Sequence, residues 1–113
     1  MAKTDTLQGS LDLLILKILS RRAPLHGYAL MTGIIEISGD VLRVEEGSLY
    51  PALHRLEMRG LLRSEWGASD NNRRARFYAL TARGRRHLRN ETARWSRISA
   101  VLARFLTPAD DLP

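Results

Sequence analysis

The spacing of apolar residues predicts most of the architecture of this chain. Apolar residues recur every three or four positions, the period of an α-helix, in four stretches: residues 6–20, 27–38, 48–58 and 81–107. Between the third and the fourth stretch the period falls to two, as in a β-hairpin, and the turn formers of residues 67–74 divide the two strands. The predicted order is therefore three helices, a hairpin and a long last helix.

The third predicted helix has an unusual outer face. Ser48 is expected to be its N-cap, which would place Pro51 in the first turn, where its missing N–H costs nothing. Gly60 is expected to end the helix. The side opposite the apolar stripe carries small or polar side chains with little charge: Ser48, Tyr50, Pro51, His54 and Arg55. Such a face suits a helix that enters a groove of DNA.

The elements around this helix predict a winged helix-turn-helix. Two helices joined by a short connector, the second with an exposed polar face, form the helix-turn-helix. The hairpin that follows is interpreted as a wing with a polar, basic end carrying Asn72, Arg73, Arg74 and Arg76. Such side chains are expected to touch phosphates or to reach into a minor groove. A hairpin turn exposed only to solvent would have the same composition.

The last predicted helix, residues 81–107, carries a heptad-like apolar seam. Thr81 is expected to be its N-cap. Because so long a helix projects past a small domain, the seam favours a homodimer built from the first and last helices of each chain. The residues expected at the dimer interface are Leu11, Leu14, Ile15, Ile18, Leu88, Trp95, Ile98, Leu102 and Phe105.

The length of 113 residues is enough for one compact unit with a modest core. We expect a mostly α (α+β) fold in which residues 1–80 form the winged helix-turn-helix with a two-stranded wing. Residues 81–107 form the dimerisation helix of the same unit, and residues 108–113 a frayed tail. No apolar run approaches the roughly 18 residues of a membrane span, and the start has no signal pattern. A cytoplasmic protein is expected.

The net charge of +6 is concentrated in one part of the chain. Residues 73–104 hold ten arginines and one acid, Glu91, which leaves +9 there and −3 on the remainder. A basic half beside a mildly acidic half points to a surface that binds a polyanion. An arginine-rich proteome, or a solvated helix face, would give the same charge, so charge alone does not decide the matter.

Enzymatic and metal-binding functions have little support in the sequence. The absence of cysteine excludes a disulfide framework, a cysteine-ligated zinc finger and a thiol nucleophile. The histidines, His26, His54 and His87, lack the spacing of metal ligands, and Ser48 has no evident base partner. No catalytic activity, metal or cofactor is expected.

Several motifs taken together resemble the PadR-like family of winged-helix transcription regulators, in the short form with one C-terminal helix. In chain order they are Leu25-His26-Gly27-Tyr28, the run from Glu45 to Glu57, Gly60-Leu61, Trp66-Gly67, the run from Asn72 to Tyr78, and Leu80-Thr81-Ala82-Arg83-Gly84. The resemblance covers residues 7–105. It implies a homodimeric repressor whose third helix enters the major groove of an inverted-repeat operator while the wings flank it. Several family members release DNA when they bind small aromatic molecules.

The resemblance and the outer faces together predict the site residues. The residues expected to bind double-stranded DNA are Tyr28, Ser48, Tyr50, Pro51, His54, Arg55, Asn72, Arg73, Arg74 and Arg76. Arg55 is the one best suited to read guanine, and Tyr28 is either a phosphate donor or a core residue. Trp95, with Ile98, resembles the tryptophan that lines an aromatic-binding pore in drug-sensing relatives; a packed interface anchor is the alternative.

Two other classes of function stay open at this point. A winged helix can serve as a protein–protein interaction module, but it would then lack a basic wing. An architectural DNA-binding protein would share the basic wing and lack sequence specificity.

Overall fold

The computed structural model describes residues 2–108, with side chains from residue 10 onward. Its elements in chain order are α1 (Ala2–Arg21), β1 (Leu25–His26), α2 (Gly27–Ile37), α3 (Glu46–Met58), β2 (Leu62–Ala68), β3 (Arg74–Leu80) and α4 (Ala82–Leu106). The predicted mostly helical fold with a wing is confirmed. The predicted tail, except for Pro108, lies outside the described residues.

The start of α3 differs from the prediction. Its N-cap is Glu45, whose carbonyl accepts hydrogen bonds from the N–H groups of Ser48 and Leu49, both at 3.0 Å. The predicted N-cap at Ser48 was therefore wrong, and Pro51 lies inside the helix. Since proline has no N–H, the carbonyl four residues earlier, that of Gly47, loses its helical partner.

The end of α3 was predicted correctly. Gly60 adopts a left-handed conformation with φ of 76°, which glycine reaches without steric cost. Its N–H donates to the Glu57 carbonyl at 2.9 Å, and the N–H of Leu61 donates to the Leu56 carbonyl at 3.0 Å. These two bonds form a Schellman motif, which satisfies the last carbonyls of the helix and turns the chain into β2.

The sheet has three strands in the order β1-β3-β2, all antiparallel to their neighbours. The expected two-stranded wing thus gains a short third strand, in which Leu25 pairs with Tyr78 and His26 with Phe77. A strand of two residues has no detectable period, so sequence patterns could not reveal it. His26 also caps α2, because its Nδ1 accepts a hydrogen bond from the N–H of Ala29 at 3.2 Å.

The core lies where α1 packs against α2, α3, α4 and β3. Its fully buried large side chains come from three helices: Ile15, Leu16, Leu19, Leu30, Ile34, Leu49, Leu53 and Leu56. Three residues expected at the dimer interface, Ile15, Ile18 and Leu88, are buried in this core within a single chain. That part of the interface prediction is corrected, because the core of the chain itself already covers their apolar surface.

The last helix begins at a tight junction with the wing. The Thr81 hydroxyl accepts from the N–H of Gly84 at 3.0 Å, as its predicted N-cap role requires, and donates to the Gly60 carbonyl at 2.6 Å. The chain extends over 57 × 29 × 29 Å, and apolar side chains at the far end of α4 are exposed: Val101, Leu102, Phe105 and Leu106. None of the helices in the described part of the chain is both long and apolar enough to cross a membrane.

Candidate nucleic-acid interface

The outer face of α3 has the composition predicted from the sequence. Four of the five predicted residues, Ser48, Tyr50, Pro51 and His54, are exposed on it. The opposite side of the helix is buried in the core through Leu49, Ala52, Leu53 and Leu56. The burial of one side holds the helix in place and leaves hydroxyl and imidazole groups directed outward, where they can donate and accept hydrogen bonds.

The start of α2 lies directly beside this face. Tyr28 is 69% exposed, which excludes the interpretation of Tyr28 as a core residue. The Tyr50 ring packs on Gly27, and a Cβ atom at position 27 would lie 2.5 Å from the Tyr50 hydroxyl oxygen. Gly27 therefore sets the position of Tyr50 by leaving room for its ring. We did not predict this role, because the two residues meet only in the tertiary structure.

The wing, defined here as β2, β3 and the turn of residues 69–73 between them, presents a basic end. The turn is held by hydrogen bonds from the Asn72 N–H to the Ser69 carbonyl and from the Ser69 N–H to the Arg73 carbonyl, both at 2.8 Å. Asn72, Arg73 and Arg74 are exposed. The Arg74 guanidinium stacks over the Trp66 ring at 4.6 Å from its centroid, a cation–π contact that restrains the side chain and keeps its charge.

A cleft of about 920 Å³ separates the wing from α2 and α3. Tyr28 and Tyr50 line its helical side. Aromatic and arginine side chains line its wing side: Trp66, Tyr78, Arg73, Arg74 and Arg76. The structure thus brings five of the ten predicted DNA-binding residues to one concave surface: Tyr28, Tyr50, Arg73, Arg74 and Arg76. Burial raises the pKa of Tyr78, with a further contribution from Glu57, so its hydroxyl resists ionisation more than that of an ordinary tyrosine.

Two of the residues predicted to contact DNA have partners within the chain. Arg55 Nη2 lies 3.1 Å from Asp12 Oδ1 of α1, and Arg76 contacts Glu57 and Ser64. Arg55 is therefore half-buried, whereas Tyr50 and the rest of the predicted face are exposed. The suitability of Arg55 for guanine was inferred from the chemistry of arginine alone. Its partner, Asp12, lies 43 residues away in sequence.

Asp12 gives the stability of the fold a specific pH dependence. Burial raises the pKa of Asp12 above its ordinary 3.8, and the attraction of Arg55 opposes that rise without cancelling it. Since the folded chain then holds the proton more tightly than the unfolded chain, stability should fall as pH rises from about 4 through the raised pKa. We expect Asp12→Asn to lose this pH dependence and to change the free energy of unfolding at pH 7 by less than about 1 kcal/mol.

Urea unfolding between pH 4 and 7 would test the role of Asp12. Asp70→Asn, in the exposed wing turn, is the control with the same change of charge. A large loss of stability in Asp12→Asn at pH 7 that vanished at pH 4 would mean that the ion pair outweighs the cost of burial.

The predicted effector and dimer residues lie along α4 and α1. Trp95 and Ile98 are half-buried, as are Leu11 and Leu14 of α1, whereas Leu102 and Phe105 are exposed. The Trp95 indole Nε1 is buried and has no hydrogen-bond acceptor among the residues whose side chains are described. No cluster of three or more His, Cys, Asp or Glu side chains that could hold a metal occurs within that same part of the chain.

Comparisons with known proteins agree with this geometry. A family model described as the transcriptional regulator PadR-like family matches residues 15–90. A transcriptional regulator of Mycobacterium tuberculosis is 50% identical over 50 residues, which are 44% of this chain and 46% of that protein.

Solved structures resemble the chain over nearly its whole length. A transcriptional regulator from Clostridium thermocellum has a TM-score of 0.81 at 25% identity, covering 91% of this chain and 96% of that one. A PadR family transcriptional regulator from Eggerthella lenta has a TM-score of 0.75 at 32% identity, covering 93% and 89%.

Proposed function

Because the chain belongs to the PadR-like family of transcriptional regulators, we propose that it acts as a homodimeric repressor of an inverted-repeat operator in double-stranded DNA. The observation that carries the proposal is the concave surface on which Tyr50 of α3 and Tyr28 of α2 stand opposite an arginine-bearing wing. One side offers hydrogen-bonding groups with little charge, and the other offers cations. Hydrogen-bonding groups serve to read base edges, and cations serve to bind phosphates.

Each side has a separate role in the proposed complex. Ser48, Tyr50 and His54 would meet base edges or the adjacent backbone from the major groove, with Pro51 in van der Waals contact. The Tyr28 hydroxyl would donate to a phosphate beside the start of α2. The exposed wing residues Asn72, Arg73 and Arg74 would bind the backbone or reach into the minor groove.

A dimer would follow from the exposed end of α4. The apolar stripe that continues from Trp95 through Ile98, Leu102 and Phe105 would be covered by the same stripe of a second copy, with Leu11 and Leu14 of α1 beside it. A two-fold axis would then place two copies of α3 about 34 Å apart, one turn of the DNA helix. This spacing requires an inverted repeat.

Release by a small aromatic effector is a second proposed property, supported by Trp95. Its buried Nε1 lacks an acceptor within the described part of one chain, and either a second copy or a bound ligand would supply one. The Arg94 guanidinium over the Trp95 ring, 5.5 Å from its centroid, would favour an anionic aromatic. Quenching of tryptophan fluorescence by planar aromatics, lost in Trp95→Phe, would support a ligand; unchanged fluorescence would leave Trp95 as an interface anchor.

The proposed DNA contacts predict a change in salt dependence. If Arg73 and Arg74 each neutralise one phosphate per subunit, the Arg73→Gln/Arg74→Gln dimer should lose four such contacts. The slope of log affinity against log salt concentration should then become shallower by about 3 to 4. The measurement is fluorescence anisotropy between 50 and 200 mM salt, on an operator identified by footprinting the promoter of its own gene.

The matched control removes the same charge from the other end of the molecule. Arg97→Gln/Arg104→Gln changes two exposed arginines of α4 and should leave the slope nearly unchanged. A slope altered only by this control would mean that DNA binds α4 rather than the wing. A footprint without sequence preference would favour an architectural protein, and no footprint at all would favour a protein-interaction module.

A further inference from the structure

Three polar side chains connect the end of α3 to both strands of the wing. The Ser64 hydroxyl of β2 donates to Glu57 Oε2 of α3 at 2.7 Å. The same hydroxyl oxygen accepts from Arg76 Nε of β3 at 2.7 Å, and Arg76 Nη2 lies 3.6 Å from Glu57 Oε2. The three groups thus form a closed triangle of two hydrogen bonds and one longer ion pair. We call it the Glu57–Ser64–Arg76 network.

The network continues toward the end of the wing through an aromatic ring. Arg76 also lies over Trp66, 5.4 Å from the ring centroid, and Arg74 lies over the same ring at 4.6 Å. Trp66 and Arg76 are partners in the register of β2 and β3, so the two side chains are neighbours on one face of the hairpin. An unbroken series of contacts therefore connects α3 to Arg74, one of the exposed arginines that the proposed function places on DNA.

Arg76 makes one hydrogen bond and one ion pair within this network. Its side chain is 40% exposed and that of Glu57 31%, so the pair is partly removed from water. Arg76 Nε donates to Ser64 and Nη2 lies near Glu57, so contacts within the chain restrain the orientation of the guanidinium. Glu57 is itself an acid close to the cleft that the proposed function assigns to DNA, where a free carboxylate would repel phosphates.

From this geometry we infer that Glu57, Ser64 and Arg76 are positioning residues, which set the angle of the wing so that the arginines and the face of α3 engage one duplex together. The inference rests on the proposed function. Residues 59–61 connect α3 to the wing along the chain, and α3 also packs against β2 in the core. The network adds polar contacts beside that packing. Linked hydrogen bonds that polarise one another hold such an angle more firmly than isolated pairs do.

The decisive experiment is Glu57→Gln, because two explanations predict opposite signs. If Arg76 binds phosphate directly, loss of a nearby negative charge should tighten DNA binding. If the network positions the wing, replacing the carboxylate by a neutral amide, which is a weaker acceptor and no longer an ion-pair partner for Arg76, should weaken operator binding roughly fivefold or more. The slope against salt concentration should stay unchanged, since no cation has been removed.

Substitutions at Ser64 provide the matched pair. Ser64→Ala removes the hydroxyl and should weaken operator binding as Glu57→Gln does, whereas Ser64→Thr keeps the hydroxyl and should retain most of the affinity. In the free protein, the indole N–H resonance of Trp66 should shift in Ser64→Ala and move little in Ser64→Thr. Thermal unfolding midpoints would verify that both variants remain folded.

The affinity of a double variant for the operator also distinguishes positioning from direct contact. In a positioning network, Glu57→Gln/Arg76→Gln should bind no more weakly than the worse single variant, whereas independent contacts would multiply their effects. Unchanged or tighter binding by Glu57→Gln, or additive effects in the double variant, would overturn this inference alone. A wild-type protein that bound no DNA would remove the proposed function and this inference together.

Discussion

Leu102→Glu is expected to convert the proposed dimer to a monomer and to weaken operator binding on the order of a hundredfold. Leu102 is 53% exposed on the apolar stripe at the far end of α4. In a two-fold dimer each substitution occurs twice, so two carboxylates would enter an apolar interface without partners. The loss of affinity follows because two linked half-site contacts bind far more tightly than one.

Ala100→Glu is the control for this substitution. Ala100 is exposed, it lies two residues earlier on α4, and the helical period places it opposite the seam. It adds the same charge and should leave the dimer intact. Sedimentation equilibrium measures the association, and far-UV circular dichroism tests whether α4 stays helical. A Leu102→Glu protein that sedimented as an unaltered dimer would show that the chain associates through another surface.

Gly84→Ala is expected to destabilise the fold by about 3 kcal/mol or more. Gly84 is buried in the first turn of α4, and a Cβ atom there would overlap the carbonyl oxygen of Leu61. That oxygen belongs to the backbone and accepts a hydrogen bond from the Thr81 N–H at 3.1 Å, so it cannot rotate aside. The helix would have to move away from the wing, at the expense of the hydrogen bond from Thr81 to Gly60.

Thermal unfolding of two glycine variants would measure this effect. Gly84→Ala should lower the unfolding midpoint by roughly 10 °C or more. Gly47→Ala is the control, because Gly47 lies in helix α3 and a Cβ atom there meets nothing within 4 Å. Gly47→Ala should raise the free energy of unfolding by no more than about 1 kcal/mol. Equal destabilisation by both would mean that the contact with Leu61 is not the cause.

Leu102→Glu and Gly84→Ala test opposite ends of the helix α4. The first turn of α4 joins the wing at Thr81 and Gly84, and the far end carries the proposed dimer interface. The direction of α4 therefore determines where a second copy would hold its own α3 and wing. The tight junction at Gly84 is consistent with a protein in which the distance between two DNA-reading helices must be constant.

Local patterns in the sequence determined most of the elements. The helical period located all four helices, and the change to a period of two located the wing. Gly60 and Thr81 were recognised as helix ends from residue type alone, because left-handed φ and N-capping are properties of single residues with their nearest neighbours. The family was recognised for the same reason, since its motifs are short runs in a defined order.

Only the tertiary structure decided which side chains are free to act. Arg55 and Arg76 were predicted to bind DNA, as were Arg73 and Arg74, yet the first two are paired with Asp12 and Glu57. Ile15, Ile18 and Leu88 fitted an interface seam and belong to the core of one chain instead. Periodicity shows which side of a helix is apolar, whereas the partner of that side depends on how distant segments fold together. Residue types and helix faces could thus be read directly from the sequence, and their partners could not.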